Sequence, residues 1–241
     1  MKKVLFCWRF LAFLIFLSIL MAILFGIAEK THAKKDLDVV NEEKSKINQT
    51  IILDAGHGGE DGGASSADGL LEKDLNLALV LTMRDILEAN GIHVILTRDN
   101  DTLLYDRNVN FEGRKKKLDA DARLKIAKKT ENPVFVSIHM NTYPLSSCKG
   151  VQVWYSGNNE ASKEIAMSVR NVTQELFQPE NDREIKPSGN NVYILRHIEC
   201  PAILIECGFL SSPDEVKLLS NESYRQQLAL VLCMGILRGI E

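Results

Sequence analysis

The chain has no Cys-x-x-Cys spacing, no Gly-x-Ser-x-Gly turn, no internal repeats and no marked excess of charge. Each absence removes a class of function. Without paired-cysteine spacing there is no zinc-ribbon or dithiol redox motif, and without the nucleophile elbow there is no serine hydrolase of the usual α/β kind. A formal net charge of −3 and a pI near 6.0 give the fold no electrostatic footprint for nucleic acid. The local basic run Arg114 to Lys117 reads as a solvated helix start.

Cysteine is present but sparse. Of five cysteines, Cys7 falls in an apolar N-terminal run, leaving Cys148, Cys200, Cys207 and Cys233. Cys200 and Cys207 flank "PAILIE"; as a strand rising about 3.3 Å per residue, it holds their Cα atoms roughly 23 Å apart, which excludes a bond between them. Buried free thiols are expected at Cys207 and Cys233.

Long apolar runs are confined to one place. Lys2, Lys3 and Arg9 precede "FLAFLIFLSILMAILFGIA", Phe10 to Ala28, which carries no charge and is long enough to cross a hydrocarbon core of about 30 Å. The basic flank keeps the N-terminus cytoplasmic and places the chain beyond Ala28 outside. Residues 1–28 are therefore expected to be a signal peptide or signal anchor; "THA" at Thr31 to Ala33 offers a small-residue cleavage site. Residues 29–49 read as a polar tether and 50–241 as one folded domain, long enough for a sizeable core.

Within that domain short apolar runs alternate with helical patterns. "IILD" (51–54), "HVILT" (93–97), "VFVSI" (134–138), "VQVWYS" (151–156), "VYILR" (192–196) and "AILIE" (202–206) read as strands covered on both faces. Leu75, Leu79, Met83, Ile86 and Leu87 mark a helix stopped by Asn90-Gly91, and Ile165, Val169, Val172 and Leu176 mark another. Arg114 to Lys129 is a weaker helix. "SPDE" places Ser212 as N-cap, Pro213 at N1 and Glu215 at N3 of a capping box, and a last helix runs through Leu228, Val231, Leu232 and Leu237. The alternation predicts an α/β fold: a mostly parallel six-stranded sheet flanked by helices on both faces.

Sites in such sheets form outside the carboxyl ends of the strands. His57 lies just beyond "IILD", His139 follows "VFVSI" and Glu206 closes "AILIE", so all three share one edge. Glu72 begins the first helix, whose N-terminus returns to that edge if the loop "GHGGEDGGA" is compact. Glycine in that loop lets a ligand or a neighbouring segment approach closely. A lone histidine after a strand usually caps or packs, and a glutamate at a helix start is favoured by the helix dipole. Two histidines and a carboxylate together are a recurring ligand set for a catalytic zinc, and a glutamate ending "PAILI" is costly unless compensated. A dinucleotide site fits less well, because "GHGGED" from Gly56 puts Asp61 where G-x-G-x-x-G needs its last glycine.

The segments "ILDAGHGGEDGGA", "LLEKDLNL", "VSIHMN" and "PAILIECGFLSSPDE", in that order, resemble the zinc-dependent N-acetylmuramoyl-L-alanine amidases of bacteria, the class of the autolysin and cell-division enzymes. The resemblance runs from about Ile51 to Ile240. It implies one Zn²⁺ per chain held by His57, Glu72 and His139, with Glu206 as the catalytic glutamate and peptidoglycan as the substrate. Ala55 in place of a common proline, Cys207 in place of Val or Thr, and Lys128 in place of Asn depart from the pattern without touching those four residues. The export segment joined to a catalytic domain without wall-binding repeats resembles the sporulation and germination branch, the CwlD-like amidases. That likeness implies an extracytoplasmic role in the spore cortex, in muramic-δ-lactam formation. Two alternatives stay open on the residues alone: a zinc peptidase acting on stem peptides, and an anchored, non-catalytic wall-binding module.

Overall fold

The computed structural model describes residues 48–108 and 112–241, with Met21. Apart from that methionine, the expected export segment and residues 29–47 of the tether, with Cys7, lie outside the described residues. Among the described residues no helix is long and apolar enough to cross a membrane.

In the unit Asn48–Glu241 the elements are β1 (Thr50–Ala55), α1 (Glu72–Ala89), β2 (His93–Leu96), α2 (Lys115–Lys129), β3 (Pro133–Asn141), β4 (Gln152–Tyr155), α3 (Ala161–Leu176), β5 (Lys186–Pro187), α4 (Tyr193–His197), β6 (Ala202–Phe209), α5 (Pro213–Ser220) and α6 (Glu222–Ile240). The sheet order is β2-β1-β3-β6-β4-β5. Every neighbouring pair is parallel except β4 with β6. β1, β3 and β6 are buried along nearly their whole length, which is why their sequences show little polar alternation.

Helices α1, α3 and α6 gather together, while α2 and α4 gather elsewhere over a cluster formed by Ile52, Ala127, Phe135, Leu195 and Leu204. α1 stops where predicted: the Asn90 N–H reaches back to Ile86 and Leu87, and Gly91 takes φ +80. The four described cysteines are free, with Cys207 and Cys233 buried as expected.

Two local expectations are corrected. "VYILR" is not a strand; it forms the short helix α4, and the strand that completes the six is β5, Lys186–Pro187. Periodicity cannot separate a short apolar run from a buried helical turn, and here only Leu195 of the run is fully enclosed. The capping box at α5 is also absent. Ser212 makes no side-chain cap, and Glu215 Oε2 instead accepts from Gly150 N at 3.0 Å and Phe209 N at 3.3 Å. Its carboxylate joins the β3–β4 loop to the end of β6.

Candidate metal centre

The loop after β1 carries His57 at φ +62, in the left-handed region. Several contacts hold it there. Gly58 N and Asp61 O bond at 2.9 Å and Asp61 N and Gly58 O at 3.0 Å, closing a tight ring of backbone after the histidine. The glycines make room for neighbours. A Cβ on Gly58, itself at φ +140, would sit 2.2 Å from the Thr102 carbonyl oxygen; one on Gly63, at φ +69, would sit 2.5 Å from Glu72 Oε2 and 2.7 Å from His57 Cδ2. The segment 98–105 lies directly over this loop. Asp101 Oδ1 accepts from Gly59 N at 2.7 Å, and Lys73 Nζ bridges Asp101 Oδ2 at 2.6 Å and the Gly59 carbonyl at 2.8 Å.

Glu72 opens α1 on the helix face that also buries Asn76, Leu79 and Met83. Its Oε1 lies 2.8 Å from His139 Nδ1 and 3.2 Å from His57 Nε2, and accepts from Met140 N at 3.1 Å. Oε2 accepts from Ala64 N at 2.7 Å. Burial acts to raise the Glu72 carboxyl, but the hydrogen bonds and charges of the two histidines outweigh it and hold it well below the usual carboxylate range. Burial likewise acts to lower His57, and the carboxylates of Glu72 and Asp61 raise it overall. The two imidazole centroids are 5.0 Å apart and nearly perpendicular.

β3 and β6 bring the other groups. His139 and Glu206 are register partners, and the pairing slips between His139 and Asn141, a bulge at the strand end of the kind that re-aims side chains beside sites. Glu206 Oε2 is enclosed and has no hydrogen-bond partner among the described residues. Burial pushes the Glu206 carboxyl up to about 7; the charge of Glu72 adds to this while His139 and His57 oppose it. A cleft of about 450 Å³ opens beside these groups, with His57, His139, Glu206 and Tyr193 among its walls. Asn141 serves the strand end, its carbonyl accepting from Leu210 N at 2.8 Å.

All four predicted residues therefore converge on one edge. One donor atom from each of His57, Glu72 and His139 lies within 4.8 Å of the others, a set able to hold a metal ion. The donor chemistry fits a borderline cation such as zinc: two imidazole nitrogens, one carboxylate oxygen and an open cleft beside them.

The floor of the site is announced by no sequence motif. Arg123, 2% exposed, pairs with Asp54 at 2.5 Å and Asp119 at 2.8 Å, and donates to the carbonyls of Ala55 and His57, each at 2.8 Å. Arg98 donates to the carbonyls of Ala55, Gly56 and Lys73. The available signals were Asp54 closing an apolar strand and the i, i+4 pair Asp119 and Arg123. The basic run is also less idle than expected: Lys115 pairs with Glu60, and Lys116 with Asp61, both in the histidine loop.

A model of the N-acetylmuramoyl-L-alanine amidase family matches residues 51–238. The chain belongs to that family. The amidase is 35% identical over 188 residues to the germination-specific N-acetylmuramoyl-L-alanine amidase of Bacillus subtilis (strain 168), covering 78% of each protein. It is similar in structure to the CwlD amidase from Clostridioides difficile, solved in complex with the GerS lipoprotein. The TM-score is 0.75 and the identity 38%, over 80% of this chain and 98% of that one. The catalytic domain of CwlV from Bacillus (Paenibacillus) polymyxa var. colistinus matches with TM-score 0.65 and 32% identity, over 79% of this chain and 97% of that one. The amidase is thus an enzyme of peptidoglycan, acting on the amide between N-acetylmuramic acid and L-alanine. Membership sets aside the stem-peptide peptidase and the non-catalytic module.

Proposed function

We propose that this amidase is a zinc enzyme in which His57, Glu72 and His139 hold one Zn²⁺ and Glu206 carries the proton. The observation that carries this reading is the pairing of a three-donor cluster with an enclosed carboxylate oxygen that has no other partner among the described residues. Zinc in such a site supplies a Lewis acid, which polarises an amide carbonyl and acidifies water near neutral pH. The rest is the work of side chains. Glu206, on the cleft wall, takes a proton from the attacking water as the new C–O bond forms. It returns that proton to the alanine nitrogen as the C–N bond breaks, leaving a lactyl carboxyl group on muramic acid and a peptide with a free amine. A carboxyl raised toward neutrality by its burial suits both halves of this exchange.

The cellular part of the proposal is export through Phe10 to Ala28, with residues 1–28 as signal or anchor, 29–49 as tether and 50–241 as the catalytic domain. Similarity to the germination-specific enzyme and to CwlD supports a place in the spore cortex, in muramic-δ-lactam formation before germination. The lipoprotein bound to the C. difficile enzyme supports an accessory protein for this chain as well. Digestion of purified peptidoglycan and mass spectrometry of the products test the chemistry. Peptides with a free L-alanine amine and no new reducing ends are expected; reducing ends, or cuts confined to the stem peptide, would refute it.

A further inference from the structure

Behind His57, on the side away from Glu72, stands a carboxylate that no part of the proposed chemistry uses. Asp61 Oδ2 lies 2.9 Å from His57 Nδ1, while His57 Nε2 faces Glu72 Oε1 at 3.2 Å. The two oxygens of Asp61 are divided. Oδ2 goes to the imidazole, and Oδ1 meets Lys116 Nζ at 3.0 Å and Gly63 N at 3.4 Å. The paired backbone bonds between Gly58 and Asp61 fix the carboxylate relative to the ring, and the guanidinium of Arg123 holds the His57 carbonyl from below.

We propose that Asp61 is a positioning residue that fixes the tautomer of His57. Neutral imidazole has one donor and one acceptor nitrogen, and an ionised carboxylate only accepts. Both nitrogens of His57 face a carboxylate, but Glu72 Oε1 is already engaged by His139 Nδ1 at 2.8 Å and Met140 N at 3.1 Å, whereas Asp61 Oδ2 is the nearer oxygen and turns to the imidazole. The proton therefore sits on Nδ1, and bare Nε2 is turned toward the cluster as a ligand. The inference rests on the proposed zinc site, because a ligand nitrogen must be unprotonated. As a surface ion pair alone, Lys116 with Asp61 would be worth little. A carboxylate behind a ligating histidine typically accounts for about 10- to 100-fold in metal affinity.

The isosteric change Asp61→Asn gives the sharper test. Lys116 and Gly63 both donate to Oδ1, so the amide oxygen takes that side and the amide nitrogen faces His57 Nδ1. The amide then donates where the carboxylate accepted, which drives the proton to Nε2 and blocks the ligand atom. An asparagine behind a histidine is known to impose the wrong tautomer in this way. The experiment uses the full chain, its Asp61→Asn and Asp61→Ala variants, and zinc alone as the probe. Zinc affinity is read by competition with a chromogenic chelator. Imidazole ¹⁵N spectra of the metal-free proteins are recorded where histidines are neutral.

The parent should show His57 protonated on Nδ1. Asp61→Asn should show the proton on Nε2 and bind zinc about 10- to 100-fold more weakly at an unchanged melting temperature, and Asp61→Ala should lose affinity with a mixed tautomer. Parent-like zinc affinity in both variants, or a His57 tautomer unmoved by Asp61→Asn, would overturn the proposal. A parent that binds no zinc would overturn the zinc site instead, and the ¹⁵N spectra would still decide whether Asp61 orients His57.

Discussion

Replacing Arg123 by methionine should cost more stability than almost any other single change in this domain. Methionine fills much of the space, so the loss comes from charge. Asp54, fully buried, keeps hydrogen bonds from Ser137 Oγ at 2.6 Å and Thr97 Oγ1 at 2.7 Å but loses its only cationic hydrogen-bond partner among the described residues, and the carbonyls of Ala55 and His57 each lose a donor. Removing one member of a buried ion pair costs about 3–5 kcal/mol, against a total stability of about 5–15 kcal/mol for a domain. The pH dependence identifies the cause. In the parent, burial acts to raise the Asp54 carboxyl, but Arg123 and the two hydroxyls outweigh it and the pKa is lowered. That carboxylate therefore contributes stability above its unfolded value near 4, and the contribution is lost as pH falls through its folded value. Without Arg123 burial dominates and the folded pKa rises, so the variant loses stability as pH climbs from the unfolded value through the raised one. The gap between the two proteins should be widest at pH 7 and narrow toward pH 4. Urea unfolding of the chain in mild detergent, monitored by circular dichroism, measures it. A loss under about 1 kcal/mol at pH 7, or a gap that widens in acid, would refute the reasoning.

Glu206→Gln should fold, keep its zinc and lose about 10²- to 10⁴-fold in kcat; a variant that shed its zinc, measured by metal analysis, would show that Glu206 is a ligand. Glu72→Gln should weaken zinc binding, and added zinc should restore part of its rate in a peptidoglycan turnover assay. Gly63→Ala, strained at φ +69 and pressed onto Glu72 Oε2, should lower both melting temperature and zinc affinity, with about 1–3 kcal/mol from the backbone alone. Treatment with a chelator should abolish activity, and zinc should bring it back.

The parts of this protein legible in its sequence are those in which local pattern and tertiary role agree. β1, β3 and β6 read correctly because strands covered on both faces must be apolar throughout, and the site emerged from where such strands end. "VYILR" failed because a run that short has no period to read, and its neighbours rather than its own residues decide between strand and helix. Glu215 failed for a related reason: S-x-x-E is a local signature, but two backbone amides outside its helix bind the carboxylate instead. Arg123 was hidden by composition. Its helix is rich in lysine and carries almost no apolar stripe, so a fully buried arginine within it looks like one more surface charge until Asp54 is seen opposite.

The segment 98–105 resting on the histidine loop bears on how this scaffold could be rebuilt. With the Thr102 carbonyl occupying the space a side chain at residue 58 would need, and Asp101 tied to both Gly59 and Lys73, the two stretches form a single moulding although some forty residues separate them in the chain. A chimera that transplants the histidine loop of a relative without its covering segment would graft half a joint, and exchange should succeed only when both pieces travel together.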